Sequence, residues 1–198
     1  MSLTLLMKDK KNERVLVVED FEKNRNGIRC GCMTKNSSLT FKLKGSKNTL
    51  VMVTGYIAAR SSLMANLKLE EGRDGVDFDY IVKDMVPQIF DILEKYKLLE
   101  VKDGVVDMHC TIYFIQDGNI YEVISNGGVI EHPDFVADGE GEGLVIGSLY
   151  ATRNNPDLMD RIRKAIKVAC KYQMYNNYPF VVIDSKTLEY EVIDKEEC

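Results

Sequence analysis

The chain is poor in the features that mark several functional classes. It has two histidines, His109 and His132, and its five cysteines (Cys30, Cys32, Cys110, Cys170, Cys198) are scattered. No cysteine pair repeats at a ligand spacing, so Cys30-Gly-Cys32 lacks the second half that a zinc site needs; no metal and no other cofactor are expected. The odd cysteine count offers no disulfide framework, and reduced thiols in a cytoplasmic protein are the expectation. Positive charge is not in excess either: the net charge is −5 and the isoelectric point about 5.2. Such a chain has no electrostatic footprint for a nucleic-acid backbone. Long apolar runs are missing too. None reaches the roughly 20 residues of a membrane helix, and the run before Lys8-Asp9-Lys10-Lys11 is too short for a secretory signal.

What is present is 198 residues, 45% hydrophobic and 29% charged. That balance suits one globular domain, 1–198, with a substantial core. Two β-rich runs, 3–7 and 14–18, flank a polar turn and predict a hairpin at the start. Period-two alternation in 39–44, a turn at 45–48 and the apolar run 49–53 predict a second hairpin. Helical spacing follows over 56–71 and again over 77–96, where Pro87 is a candidate kink. Asp117-Gly118 joins strands at 108–116 and 119–125, the strongest short hairpin signal in the chain. A Gly-rich stretch, 138–143, leads into 144–151, then a long amphipathic helix over 158–175 and closing strands at 180–183 and 189–193. Strands in hairpins, interrupted by two helix pairs, argue for antiparallel sheets with helices packed outside.

That order of elements is similar to the proteasome β subunits and bacterial HslV. The resemblance runs through essentially the whole chain. It includes Thr4 through Asp20 in the first hairpin, Lys42 in the second, Leu50-Val-Met-Val-Thr-Gly55 before a helix, Asp117-Gly-Asn-Ile-Tyr121, Phe135-Val-Ala-Asp-Gly-Glu-Gly141 and Pro179-Phe-Val-Val-Ile-Asp184. It implies an α+β fold, a four-layer αββα sandwich, and an N-terminal-nucleophile hydrolase: a threonine- or serine-type peptidase acting on peptide or unfolded protein. Thr4 resembles the nucleophile, with Ser2 as a second candidate because an initiator methionine before serine is removable. Asp20 and Lys42 resemble the supporting pair, and Gly55 the oxyanion-hole glycine.

The residue types fit the chemistry. A hydroxyl needs a base to take its proton, and a free α-amine on the same residue, with a reference pKa near 7.7–8.0, can serve. A buried ammonium at Lys42 would depress that amine's pKa, Asp20 would hold the ammonium charged, and a Gly55 N–H could approach a tetrahedral oxyanion. Each also has a plainer role: strand residue, strand-ending acid, solvent-facing lysine, turn glycine.

The chain departs from the resemblance at three points. Met1 to Leu3 precede Thr4; Glu140, within Gly139-Glu140-Gly141, stands where a hydroxyl is usual; Lys171 stands where an aspartate is usual. These departures keep open a catalytically inactive structural ring subunit, and a small-molecule amide hydrolase of the same fold. Gly139, Gly141 and Gly143 do not make a phosphate loop, since the Lys-Ser/Thr ending is missing and carboxylates lie inside it. The surplus of apolar residues in 56–71 predicts a homo-oligomer, a ring or stacked rings. An unfolding ATPase partner is implied by resemblance alone.

Overall fold

The computed structural model describes residues 3–20, 22–25, 28–31, 38–173 and 178–194. Along the chain run β1 (Thr4–Asp9), β2 (Arg14–Asp20), β3 (Glu22–Arg25), β4 (Ile28–Gly31), β5 (Thr40–Lys42), β6 (Leu50–Gly55) and α1 (Ile57–Asn66). A helical run over 78–95 follows, built of α2 (Phe78–Tyr80), a π-helical segment (Ile81–Met85) and α3 (Val86–Lys95). Then come β7 (Glu100–Lys102), β8 (Val105–Asp107), β9 (Cys110–Gln116), β10 (Asn119–Val123), β11 (Val129–His132) and β12 (Phe135–Asp138). The last elements are α4 (Glu142–Ala151), α5 (Leu158–Tyr172), β13 (Phe180–Asp184) and β14 (Tyr190–Ile193). The fold is mixed α/β, with two five-stranded antiparallel sheets, and the chain divides into two compact units, Met1–Ser38 with Asp134–Cys198, and Leu39–Pro133.

The first unit carries the sheet β12-β1-β2-β13-β14. Strand alternation sends Leu5, Met7, Leu16, Val18, Phe180 and Val182 to one face, where they pack with Ile162, Ala165, Ile166 and Ala169 of α5 and Val145 and Leu149 of α4. Each large apolar side chain buried there stabilises the unit by about 1.5–3 kcal/mol. Leu6, Val15, Val17 and Val181, which alternate with that set, are buried as well. α5 starts where Asp157 accepts a hydrogen bond from the Asp160 amide, and Lys171 in its last turn complements the helix dipole. It ends at Tyr172, short of the predicted 175; residues 174–177 lie outside the described ones.

The second unit carries the sheet β11-β10-β9-β6-β5. Val51, Val53, Ile112, Phe114 and Val123 pack there with Leu63 of α1 and Ile89 and Leu93 of α3. The predicted helix 56–71 is shorter than expected, because Leu67 turns extended and the Leu69 amide donates to the Lys44 carbonyl at 2.9 Å. Leu67 and Leu69 are buried as parts of an extended segment rather than of a helical stripe. Over 78–95 the Val86 amide reaches back five residues to the Ile81 carbonyl, so the winding changes just before Pro87, which has no N–H to give. The strand predicted from Met108 begins at Cys110, since His109 adopts a left-handed φ of 50°. Asp117 and Gly118 both take positive φ, as a two-residue hairpin turn requires. The paired strands β3 with β4 and β7 with β8 were not predicted; their runs are only three or four residues long, although Asn26-Gly27 and Asp103-Gly104 between them are two-residue turn signals in the sequence.

Candidate nucleophile site

Thr4 opens β1 and is almost wholly buried. In the ladder it faces Glu19 of β2 and Asp138 of β12, and its hydroxyl donates to the Asp138 main-chain carbonyl at 3.3 Å. Its nitrogen belongs to the Leu3–Thr4 peptide bond, so the base that the hydroxyl needs is not formed in this chain. Ser2, the second candidate, lies outside the described residues.

Asp20 ends β2 and is buried, and its amide donates to the Leu3 carbonyl at 3.3 Å. Its ladder partner is Phe180, which belongs to the helix-covered face, whereas Thr4 pairs with Glu19 on the other face. The first sheet therefore brings Thr4 and Asp20 to one end but on opposite sides.

Lys42 and Gly55 belong to the second unit. Lys42 ends the edge strand β5, opposite Leu50, and is exposed rather than the buried ammonium expected. Gly55 lies at the far end of β6, opposite Cys110, about 17 Å along the strand from the Leu50 position. The structure does not bring these two together. Gly55 has its own reason to be glycine: at φ 93° a Cβ would sit 2.6 Å from the His109 carbonyl oxygen. In the first unit, Glu140 is half-buried just ahead of α4, and Lys171 is exposed with its ammonium 5.4 Å from the Tyr172 ring centre.

Sequence reasoning missed Glu19. This carboxylate is buried across the ladder from Thr4, and Ser38 Oγ lies 3.0 Å from each of its oxygens. Its signal was available: an acid at the apolar phase of a strand, two residues after Val17 and four after Val15, needs partners to be buried.

At the opposite end of the first sheet Arg14 bridges two acids. Its Nε donates to Asp9 at 2.8 Å and an Nη to Asp184. Burial pushes the Asp9 carboxyl up, but hydrogen bonds from Asn12 and Arg14 outweigh it and hold the group below its ordinary range. Burial likewise opposes the charged form of Asp184, and the Lys186 and Thr187 amides with Arg14 bring its pKa below the ordinary value. The two thiols described are Cys110 and Cys170. Burial pushes the Cys110 thiol up to about 12, which leaves it inert as a nucleophile. Cys32 and the Cys30 side chain lie outside the described residues; among those described, no group of three or more His, Cys, Asp or Glu could hold a metal. No helix among them is long and apolar enough to cross a membrane.

No protein-family model and no curated protein matches the sequence. Solved structures do. The chain is 16% identical to Thiobacillus denitrificans BPH in complex with epoxomicin, with a TM-score of 0.69 and 98% of each chain covered. It is 14% identical to Anbu from the Pseudomonas aeruginosa helical assembly, at a TM-score of 0.63 over 98% of this chain and 87% of that one. With eukaryotic HslV from Trypanosoma brucei the identity is 14% and the TM-score 0.58, over 97% of this chain and 99% of that one. The chain thus has the N-terminal-nucleophile hydrolase fold of these proteasome-like proteins.

Proposed function

We propose that this chain is a cytoplasmic subunit of a self-compartmentalising, proteasome-like assembly, and that Thr4 is a threonine-type nucleophile once the Leu3–Thr4 bond is opened. What supports this reading is the likeness to HslV and BPH over nearly the whole chain, together with Thr4 as the first residue of β1. Cleavage there would put a free amine on the residue that carries the hydroxyl. The amine would take the hydroxyl proton as Oγ attacks a peptide carbonyl, the Gly55 N–H would meet the oxyanion, the proton would pass to the departing peptide amine as the C–N bond breaks, and water would then hydrolyse the acyl ester and restore the hydroxyl. Ser2 would take the role of Thr4 if only Met1 is removed.

A second reading, a non-catalytic shell subunit, is favoured by particular residues: the exposed Lys42, Asp20 on the face away from Thr4, Glu140 and Lys171. Both readings share the assembly. Tyr56 and Ile57 stand exposed at the start of α1, and Phe78 and Val82 are exposed four residues apart on the run 78–95, apolar surface that a neighbouring copy would cover. An ATPase that feeds unfolded chains to such a compartment is part of the proposal. Intact mass of the protein from its native cells decides between the readings. A chain beginning at Thr4 or Ser2 supports the peptidase; one that keeps Met1 to Leu3 and hydrolyses no peptide leaves the shell subunit.

A further inference from the structure

The ladder around Thr4 sets the charge that a freed α-amine there would meet. Leu3 and Asp20 are a hydrogen-bonded pair, since the Asp20 amide donates to the Leu3 carbonyl. Thr4 and Glu19 are therefore the next, non-hydrogen-bonded pair, the kind whose Cα atoms approach to about 4.5 Å and whose side chains lie closer. Both residues belong to the face of the first sheet away from α4 and α5, and they are 1% and 3% exposed, so little water stands between them and screens their charges. Ser38 Oγ, 3.0 Å from each carboxylate oxygen of Glu19, holds that group in place.

Both ladder partners of Thr4 on that face are acids. Across from β12 comes Asp138, half-buried, followed two residues later by Glu140, also half-buried. On the other side the ladder continues past Glu19 to the apolar Val181 of β13. Along β1 itself the first cation on the same face is Lys8, four residues and about 13 Å away. Asp20 lies on the opposite face, and Lys171 is exposed in the last turn of α5. The charges closest to a Thr4 amine in this ladder are therefore negative, the reverse of a lysine-supported nucleophile.

We propose that Glu19 is a positioning residue for the Thr4 α-amine: its carboxylate pairs with the ammonium freed by opening the Leu3–Thr4 bond and holds it beside the hydroxyl. The inference rests on the reading of Thr4 as the nucleophile. Burial alone would lower an amine's pKa, but an opposite charge within about 4–6 Å favours the charged form and reverses the sign. The amine pKa is thus raised above its reference of about 7.7–8.0, with a smaller push from Asp138 because that residue is only half-buried. Only the neutral amine can take the hydroxyl proton, so turnover belongs to the alkaline side.

The test uses the chain beginning at Thr4 and reads the pKa of its α-amine from the pH dependence of acetylation by acetic anhydride, followed by mass spectrometry of the N-terminal peptide. No turnover is needed for that reading. The folded chain should give a value at least about one unit above that of the same chain in denaturant. Glu19→Gln, which keeps an acceptor for Ser38, should bring the value back toward the denatured one; Glu19→Asp should retain most of the rise, and Asp138→Asn should remove the smaller part. The acidic limb of kcat/KM for a peptide should move with the amine, about one unit lower in Glu19→Gln. A folded value at or below the denatured one overturns the proposal, whether or not Glu19→Gln folds. So does a Glu19→Gln value equal to the parent's, or a rise removed entirely by Asp138→Asn. A raised pKa in a chain that hydrolyses no peptide would instead remove Thr4 as the nucleophile and leave Glu19 as the partner of the amine.

Discussion

The two units share one plan, a five-stranded antiparallel sheet with a helix pair on one face, but differ in the polar groups they bury. In the second, the described buried polar residues are Thr40, Ser46, Thr49, Arg60 and Gln116. In the first they include four carboxylates, Asp9, Glu19, Asp20 and Asp184, with Thr4 beside Glu19. A buried carboxylate costs free energy unless it is charge-paired or hydrogen-bonded. Electrostatic work is thus concentrated in the first unit, at the two ends of its sheet, while the second is held together mainly by apolar packing and neutral hydrogen bonds.

The largest effect that tests this contrast is in the second unit. Phe114→Ala should cost about 3–5 kcal/mol, because the ring is fully enclosed among Val51, Val53, Ile112 and the helices, and it should leave the acid sensitivity of the protein unaltered. Denaturant unfolding at several pH values reads both quantities.

Next in size is Arg14→Ala in the first unit, at about 2–3 kcal/mol near neutral pH. That lies below the full cost of breaking a buried pair, since the Arg14 side chain is 32% exposed. Asp9 and Asp184 have native pKa values below their ordinary ones, so their contribution is present above the unfolded carboxylate pKa of about 3.9 and is lost as pH falls through the native values. Arg14→Ala should flatten that loss below about pH 4. An acid slope identical to that of the parent chain would move the sensitivity elsewhere.

These two substitutions also show what the sequence made legible. The hairpin around Arg14, the Asp117-Gly118 turn and the amphipathic α5 were readable because period-two and helical patterns coincide with strong turn and cap residues. The end of α1 was not, because Leu67 and Leu69 fit a helical stripe as well as they fit an extended segment, and the hydrogen bond to Lys44 that decides between them is long-range in sequence. Thr4 and Asp20 were legible as residues, but their opposite faces follow from the ladder register with Glu19 and Phe180, which spacing along one strand does not give. Lys42 fitted both a buried ammonium and a solvent-facing lysine; as the last residue of a three-residue edge strand it has no strand on its outer side to cover it, and it is exposed.

A smaller effect belongs to Thr49→Val. The Thr49 hydroxyl donates to Gln116 and accepts from Ser46 Oγ at 2.7 Å, so its loss should cost about 1–3 kcal/mol, with no pH dependence between 5 and 8. A pH-dependent loss would mean that a titrating acid is coupled to Thr49 in the second unit as well. The smallest effect on folding is expected from Tyr56→Ser with Ile57→Ser, within about 0.5 kcal/mol in the isolated chain since both side chains are exposed. The same pair should shift the mass seen by light scattering toward the 22.5 kDa monomer; an unchanged mass distribution would place any self-association on another surface.

Peptide hydrolysis by a chain whose first residue is Thr4, measured against the same chain carrying Thr4→Ser and Thr4→Ala, tests the functional account most directly. The account predicts turnover for Thr4, reduced turnover for Thr4→Ser and none for Thr4→Ala, with all three chains assembling alike. Equal turnover in all three, or none in any of them while assembly is intact, would contradict Thr4 as the nucleophile.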